Sequence, residues 1–215
     1  MKNATKILLA AAALMAPAAM AHATSMTFTS YGVALPPGET LVTDFSTLPA
    51  TFTGNGSLVT GSLSGVYAAP AFSPTTFDTG QYLAIEGGQT ETFTPTAPIG
   101  DLSIYLGSLD SYNGISITAS MGGGTVTYTG ADIASMSGAV DSGDQTSGAS
   151  NGRLTIFFGG PVSSVTFTSS SNAFEIASVA TSAVPEPAVW SMMLFGLGSV
   201  GAVLRRRRAP ALAHA

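Results

Sequence analysis

The sequence predicts an all-β protein, an antiparallel β-sandwich of jelly-roll type set between two apolar ends. Three observations predict it. Apolar and polar residues alternate in at least five segments, among them Leu102-Ile104-Leu106, Ile115-Ile117 and Leu154-Ile156-Phe158, as they do when one face of a strand is buried. Gly, Pro, Asn and Asp separate these segments at short intervals. Between residues 24 and 183 no 3.6-residue period lasts beyond two turns, so little or no helix is expected there.

Taken in order, the first element is an export signal. Lys2 and Lys6 precede an apolar run at 7–14, and Ala21-His22-Ala23 forms an A-x-A cleavage site. Pro17 interrupts the run, which makes it too short for a membrane helix. Residues 1–23 therefore read as a signal peptide, with signal peptidase leaving Thr24 as the first mature residue.

The domain is expected over 24–176. Strands are read at 26–29 and 41–45, with Pro36-Pro37-Gly38 between them. Thr51-Phe52-Thr53 and Ser57-Leu58-Val59 flank Asn55-Gly56 and read as a hairpin, because Asn-Gly suits a type I′ turn. Residues 82–85 and 90–93 flank Gly87-Gly88 as a second hairpin, after a strand at 63–67 and a loop at 70–74. Strands follow at 102–106, 115–118 and 125–129. Residues 134–152, rich in Ser, Gly and Asp, read as the longest loop, and strands at 154–158, 165–167 and from 174 close the domain. Residues 177–184 read as a short linker.

The C-terminal end is tripartite. Pro185-Glu186-Pro187 is followed by 17 residues without a charge, 188–204, and then by Arg205, Arg206, Arg207 and Arg208. At about 1.5 Å per residue that run covers roughly 25 Å, enough for a thin bilayer. Four arginines hold their end on the cytoplasmic face, with 209–215 behind them as a cytoplasmic tail. Pro185 and Pro187 fix φ and keep the preceding segment extended. This end, with Trp190, Ser191, Met192 and Met193 after the prolines, resembles the PEP-CTERM sorting tails of exopolysaccharide-producing Gram-negative bacteria. The resemblance implies that an exosortase-type membrane peptidase recognises Pro185-Glu186-Pro187 and removes the helix and arginines, sending the domain to the cell surface or the extracellular polymer. A second resemblance to PEP-CTERM ectodomains lies in Leu106-Gly-Ser-Leu-Asp110-Ser-Tyr112-Asn113 and Asn172-Ala-Phe174-Glu175-Ile176, and implies that these two segments meet. Leu106 and Ala177-Ser178 stand where those ectodomains often carry Trp and Asp-Asn.

Composition removes whole classes of chemistry. Between residues 24 and 184 lie eleven carboxylates and one cation, Arg153, a formal balance of −10. Such a surface repels nucleic acid. The chain has no cysteine, and its two histidines, His22 and His214, fall in the two ends. Ser-His-Asp catalysis and ordinary zinc sites are thereby excluded from the domain. Asp78-Thr79-Gly80 and Asp141-Ser142-Gly143 match the aspartic-protease tripeptide, although Asp-Gly neighbourhoods also simply make turns. A carboxylate-dependent hydrolase, protease or glycosidase, is thus the alternative to the favoured reading, a non-enzymatic structural or carbohydrate-binding domain. Calcium is the ion such carboxylates suit, with Asp110, Asn113, Asp141, Asp144 and Glu175 as its ligand set; solvated loop acids are the plain reading of the same residues. Tyr105, Tyr112 and Tyr128 are the candidate sugar-facing aromatics. Arg153 reads as an internal ion-pair partner.

Overall fold

The computed structural model describes residues 23–120, 124–184 and 193–198. The signal segment before Ala23 lies outside them, as do Pro185-Glu186-Pro187, Trp190 and the arginines. Residues 193–198 are helical; among the described residues no helix is long and apolar enough to cross a membrane.

The domain is all-β and antiparallel. Eleven strands form one sheet that curls on itself: β1 (Ala23–Ser30), β2 (Thr40–Thr43), β3 (Phe52–Gly54), β4 (Ser57–Val59), β7 (Tyr82–Ile85), β8 (Thr90–Phe93), β9 (Ile99–Gly107), β10 (Asn113–Ala119), β11 (Thr125–Thr129), β12 (Gly152–Ser169) and β13 (Phe174–Ala183). A small ribbon, β5 (Ala71–Ser73) with β6 (Thr76–Phe77), stands apart. The curl is made by β12. Its first half pairs with β1 and β9, and its second half with β10 and β8. Gly159-Gly160-Pro161 lies between the halves, so the two strands expected here are one strand bent at its middle.

Alternation builds the core. Ile104, Leu106, Ile115, Ile117, Leu154, Ile156, Val165 and Phe167 are all fully buried in one cluster with Phe174 and Ile176. Inside it Phe52 stacks on Phe93 with centroids 5.0 Å apart and meets Phe45 edge-on at 5.3 Å. Each such ring, fully buried, stabilises the fold by about 1.5–3 kcal/mol.

Both expected hairpins are corrected. β3 pairs with β8, and β4 with β7, so residues 52–59 and 82–93 form one long bent pair. Asn55-Gly56 and Gly87-Gly88 are the corners of that bend. Asn55 Oδ1 takes the Thr90 amide at 2.8 Å, and Glu91 Oε2 takes the Gly56 amide at 3.0 Å. A buried carboxyl therefore holds the corner that a hairpin turn was expected to form.

Two further expectations change. Helix α1 (Gly130–Ser137) runs into the loop expected at 134–152; it is capped by reciprocal bonds between Thr129 and Asp132 and seated by buried Ile133. Gly130 is required there: a Cβ would lie 1.8 Å from the Asp110 carbonyl oxygen. Residues 177–184 are not a linker. β13 runs to Ala183, paired with β9 and β2, and Ala177, Val179 and Ala180 are buried.

Candidate functional site

Along β13 the inward side chains Phe174 and Ile176 enter the core, and Glu175 and Ala177 face the other side of the sheet. That side is covered by the segment 60–81, which packs Ala69, Tyr67 and Phe72 against Tyr82, Ala84, Tyr105 and Ala177. At one end the cover leaves a polar cavity of about 160 Å³, lined by Tyr67, Ser108, Asp110, Tyr112, Asn172 and Glu175 among others.

Glu175 is its deepest charge-bearing group, 2% exposed. Its Oε1 accepts the Ala68 amide at 2.9 Å and its Oε2 the Ser108 hydroxyl at 3.1 Å. Burial pushes its pKa up to about 8 against the pull of these bonds, so the carboxyl holds its proton at neutral pH. Asp110 lies in the turn between β9 and β10, where its amide donates to Asn113 Oδ1 at 2.8 Å. Burial raises the Asp110 pKa, the Tyr112 hydroxyl opposes the rise, and Asp141 adds to it. Gly143, at φ +66°, presses the 141–144 loop onto Asp110; a Cβ there would sit 2.2 Å from Asp110 Oδ1.

The five expected calcium ligands are divided. Asp110 and Glu175 share the cavity, and Asp141 stands beside Asp110. Asn113 is buried behind the wall, its Nδ2 donating to Ser169 Oγ at 3.2 Å and to the Ala173 carbonyl at 3.3 Å. Asp144 holds its own turn, accepting from the Thr146 and Ser147 amides at 2.9 and 3.0 Å. Among the described residues no three His, Cys, Asp or Glu side chains converge closely enough to hold a metal ion. Calcium takes six to eight oxygens, and of the five residues Asp110, Asp141 and Glu175 stand at or beside the cavity.

The protease tripeptides are not paired either. Asp78 Oδ1 caps the Gly80 amide at 2.8 Å beside a second cavity, which Arg153 and Tyr105 also line. Asp141 belongs to the loop against Asp110, so the two aspartates lie on separate turns. Arg153, 4% exposed, is internal, but its hydrogen bonds go to neutral oxygens rather than to the ion-pair partner expected. It donates to the Gly32 and Val33 carbonyls and the Ser103 and Ser178 hydroxyls, over the Tyr105 ring. Ser103 in turn donates to Glu39, whose charge favours the guanidinium.

Of the three tyrosines, Tyr105 is ruled out as a sugar face, being buried with its hydroxyl on the Ala71 carbonyl at 2.6 Å. Tyr128 is half-buried and accepts the Ala23 amide. Tyr112, half-buried, stands between the cavity and an open groove of about 380 Å³ that passes over Gly114. The two motif segments do meet: Ile176 pairs with Leu106, and the Tyr112 hydroxyl donates to the Asn172 carbonyl at 2.7 Å. Sequence reasoning missed Tyr67 and Ser108, which have no pattern of their own, and Asn151. Asn151 Oδ1 accepts the Ala71 and Ser108 amides, and its Nδ2 donates to the Asp144 and Ser147 carbonyls.

Residues 183–208 match the family model described as the PEP-CTERM protein-sorting motif. The tail is a PEP-CTERM sorting motif. It implies export, exosortase-dependent processing and sorting to the cell surface. No curated protein matches the chain. Among solved structures, it is similar to a chain from work on glycan recognition by the Ruminococcus flavefaciens cellulosome, at 15% identity over 69% of this chain and 95% of that one, with a TM-score of 0.35. It is also similar to the catalytic unit of a GH87 α-1,3-glucanase from Streptomyces thermodiastaticus (16% identity, 69% and 26% of the two chains, TM-score 0.36). A third is an exo-β-1,3-galactanase from Phanerochaete chrysosporium (18% identity, 61% and 27%, TM-score 0.32). The chain spans under a third of each of these two hydrolases. Glycoside hydrolases among the matches overturn the expectation of a domain without catalysis, and that expectation is withdrawn. At these TM-scores they assign no activity and no residue to this chain.

Proposed function

We propose that this is an exported surface protein whose domain recognises an uncharged extracellular polysaccharide at the cavity under the 60–81 cover. In this reading residues 1–23 are removed by signal peptidase, 188–204 span the inner membrane, and an exosortase-type peptidase cuts at Pro185-Glu186-Pro187. The delivered part is a jelly-roll-like sandwich formed by the curl of β12. The observation that carries the reading is the polar cavity with the buried Glu175 carboxyl at its base, where burial raises its pKa to about 8. A protonated carboxyl both donates and accepts, as sugar hydroxyls do, and the Tyr112 ring stands at the rim. The domain's net charge of −10 sets it against anionic polymers at low salt.

The test is affinity electrophoresis of the exported protein in gels containing neutral or anionic polysaccharides. Retardation by a neutral polymer, lost in Tyr112→Ala, supports the reading; equal migration in every gel overturns it. One observation favours a second reading, hydrolysis of the same glycan. Glu175 keeps its proton in the cavity that Asp110 also lines, and a carboxylic acid beside a second carboxyl is the pairing glycosidases use. Release of reducing ends that Glu175→Gln abolishes without loss of binding would select it.

A further inference from the structure

The outer face of the strands β11-β10-β12-β8-β3 is a lattice of hydroxyls. Across it, Thr127, Ser116, Thr166, Thr92 and Thr53 stand in register on five successive strands. A second row holds Thr129, Gly114, Thr168 and Thr90, and a third Thr125, Thr118 and Ser164. Their sequence neighbours Ile115, Ile117, Val165, Phe167, Phe93 and Phe52 are buried, so these rows face out. None of the row residues is charged.

The hydroxyls are held in place by one another. Ser116 bonds to Thr127 at 2.8 Å, Thr166 to Thr92 at 2.9 Å, and Thr118 to Thr125 at 2.9 Å. Each bond uses one of a pair's two protons, leaving one donor and several lone pairs free.

We infer that this face is the track on which a single extended, uncharged polysaccharide chain lies, running across the strands. The inference rests on the glycan reading above and extends it from a cavity to a path. Strand spacing is about 4.8 Å, comparable to the length of one pyranose residue in an extended chain, so the middle row offers about one hydroxyl per sugar. Neighbouring strands are rotated by roughly 20–25°. A rigid crystalline plane would touch only two or three of them, whereas a single chain follows the twist. Charge excludes the other polymers: the face holds no cation for an acidic polysaccharide, and a cationic one would be drawn to the acidic loops. Gly114 opens the second row into the groove that ends at Tyr112, so the track leads to the cavity.

The test uses the exported protein and β-1,4- and β-1,3-linked glucose oligosaccharides of two to eight residues, with binding read by titration calorimetry. On the track, affinity rises with length until about five sugars and then levels. The double variant Thr92→Val and Thr166→Val keeps strand shape and melting temperature but loses at least tenfold in affinity for the longer sugars and little for the disaccharide. Affinity that levels at one or two sugars and is untouched by this variant, yet is lost in Tyr112→Ala, overturns the track and leaves the cavity reading standing. No binding by any sugar in the unaltered protein overturns both. Should the double variant melt early, Thr127→Val alone on the edge strand β11 gives the same reading.

Discussion

The Ala68 amide donates to Glu175 Oε1 at 2.9 Å, joining positions 107 residues apart. One bond thus fixes the 60–81 cover to β13 and holds down the lid of the cavity. It is made by a carboxyl whose neutrality depends on that lid.

The first prediction follows from this dependence. Glu175 has a folded pKa of about 8 against an ordinary value of 4.5. A raised carboxyl pKa contributes stability that is complete below the unfolded value and lost as pH rises through the folded one. Stability against denaturant should therefore fall as pH rises from about 5 to above 8, by at most on the order of 5 kcal/mol. Burial also raises Glu39, Asp78, Glu91 and Asp110, which adds to the fall. Glu175→Gln should remove the part nearest pH 8, and an unchanged profile in that variant would assign the slope elsewhere.

Asn151 gives the second. It is buried and satisfies two amides and two carbonyls from three separate segments. Asn151→Ala takes from the Ala71 and Ser108 amides their side-chain acceptor, each at about 1–3 kcal/mol, while the Asp144 and Ser147 carbonyls keep donors from Ser150. Urea denaturation should show a loss of roughly 4 kcal/mol. Asn151→Asp should recover only part of it, because the carboxylate can keep the two amides but not the two carbonyls.

Calcium is expected to leave the domain's melting temperature where chelator leaves it. A site filled at a hundredfold over its Kd would add about 2.7 kcal/mol. The division of Asp110, Asp141, Asp144 and Glu175 among separate roles gives no such shell. A clear rise in melting temperature at millimolar calcium would show that the loop rearranges to make one.

At the tail, Glu186→Ala should leave a full-length protein in the membrane fraction, because Glu186 is the charge in the Pro-Glu-Pro segment. Intact-mass measurement of the exported protein reads this directly. Trimming of the variant at the wild-type position would show that the charge is not what is recognised.

Strand positions were legible where alternation is strict, as in Leu102-Ile104-Leu106, because burial of one face writes itself into every second residue. Pairing was not. Asn55-Gly56 carries the signal of a hairpin, but Glu91, 35 residues on, takes the Gly56 amide and turns the site into a corner. Helix α1 is about two turns long and announces itself mainly through the Thr129-x-x-Asp132 cap. Residues 177–184 are rich in Ser, Thr and Ala, which reads as a linker until β9 and β2 are seen on its flanks. At the site, Asp110 and Glu175 were visible as carboxylates. The protonation of Glu175 was not, because it arises from the cover that segment 60–81 lays over it. The hydroxyl face had a signal that went unread, Thr-x-Thr repeated at 51–53, 90–94, 125–129 and 166–168.

β13 ends at Ala183, where the sorting motif begins. A load applied to the tail therefore enters the sheet at β13. That strand is flanked on one side by β9 and on the other by β7 and β2, all antiparallel to it. A pull along its axis shears many backbone hydrogen bonds at once rather than peeling them one by one. The sorting motif thus follows directly on a strand that is hydrogen-bonded along both edges.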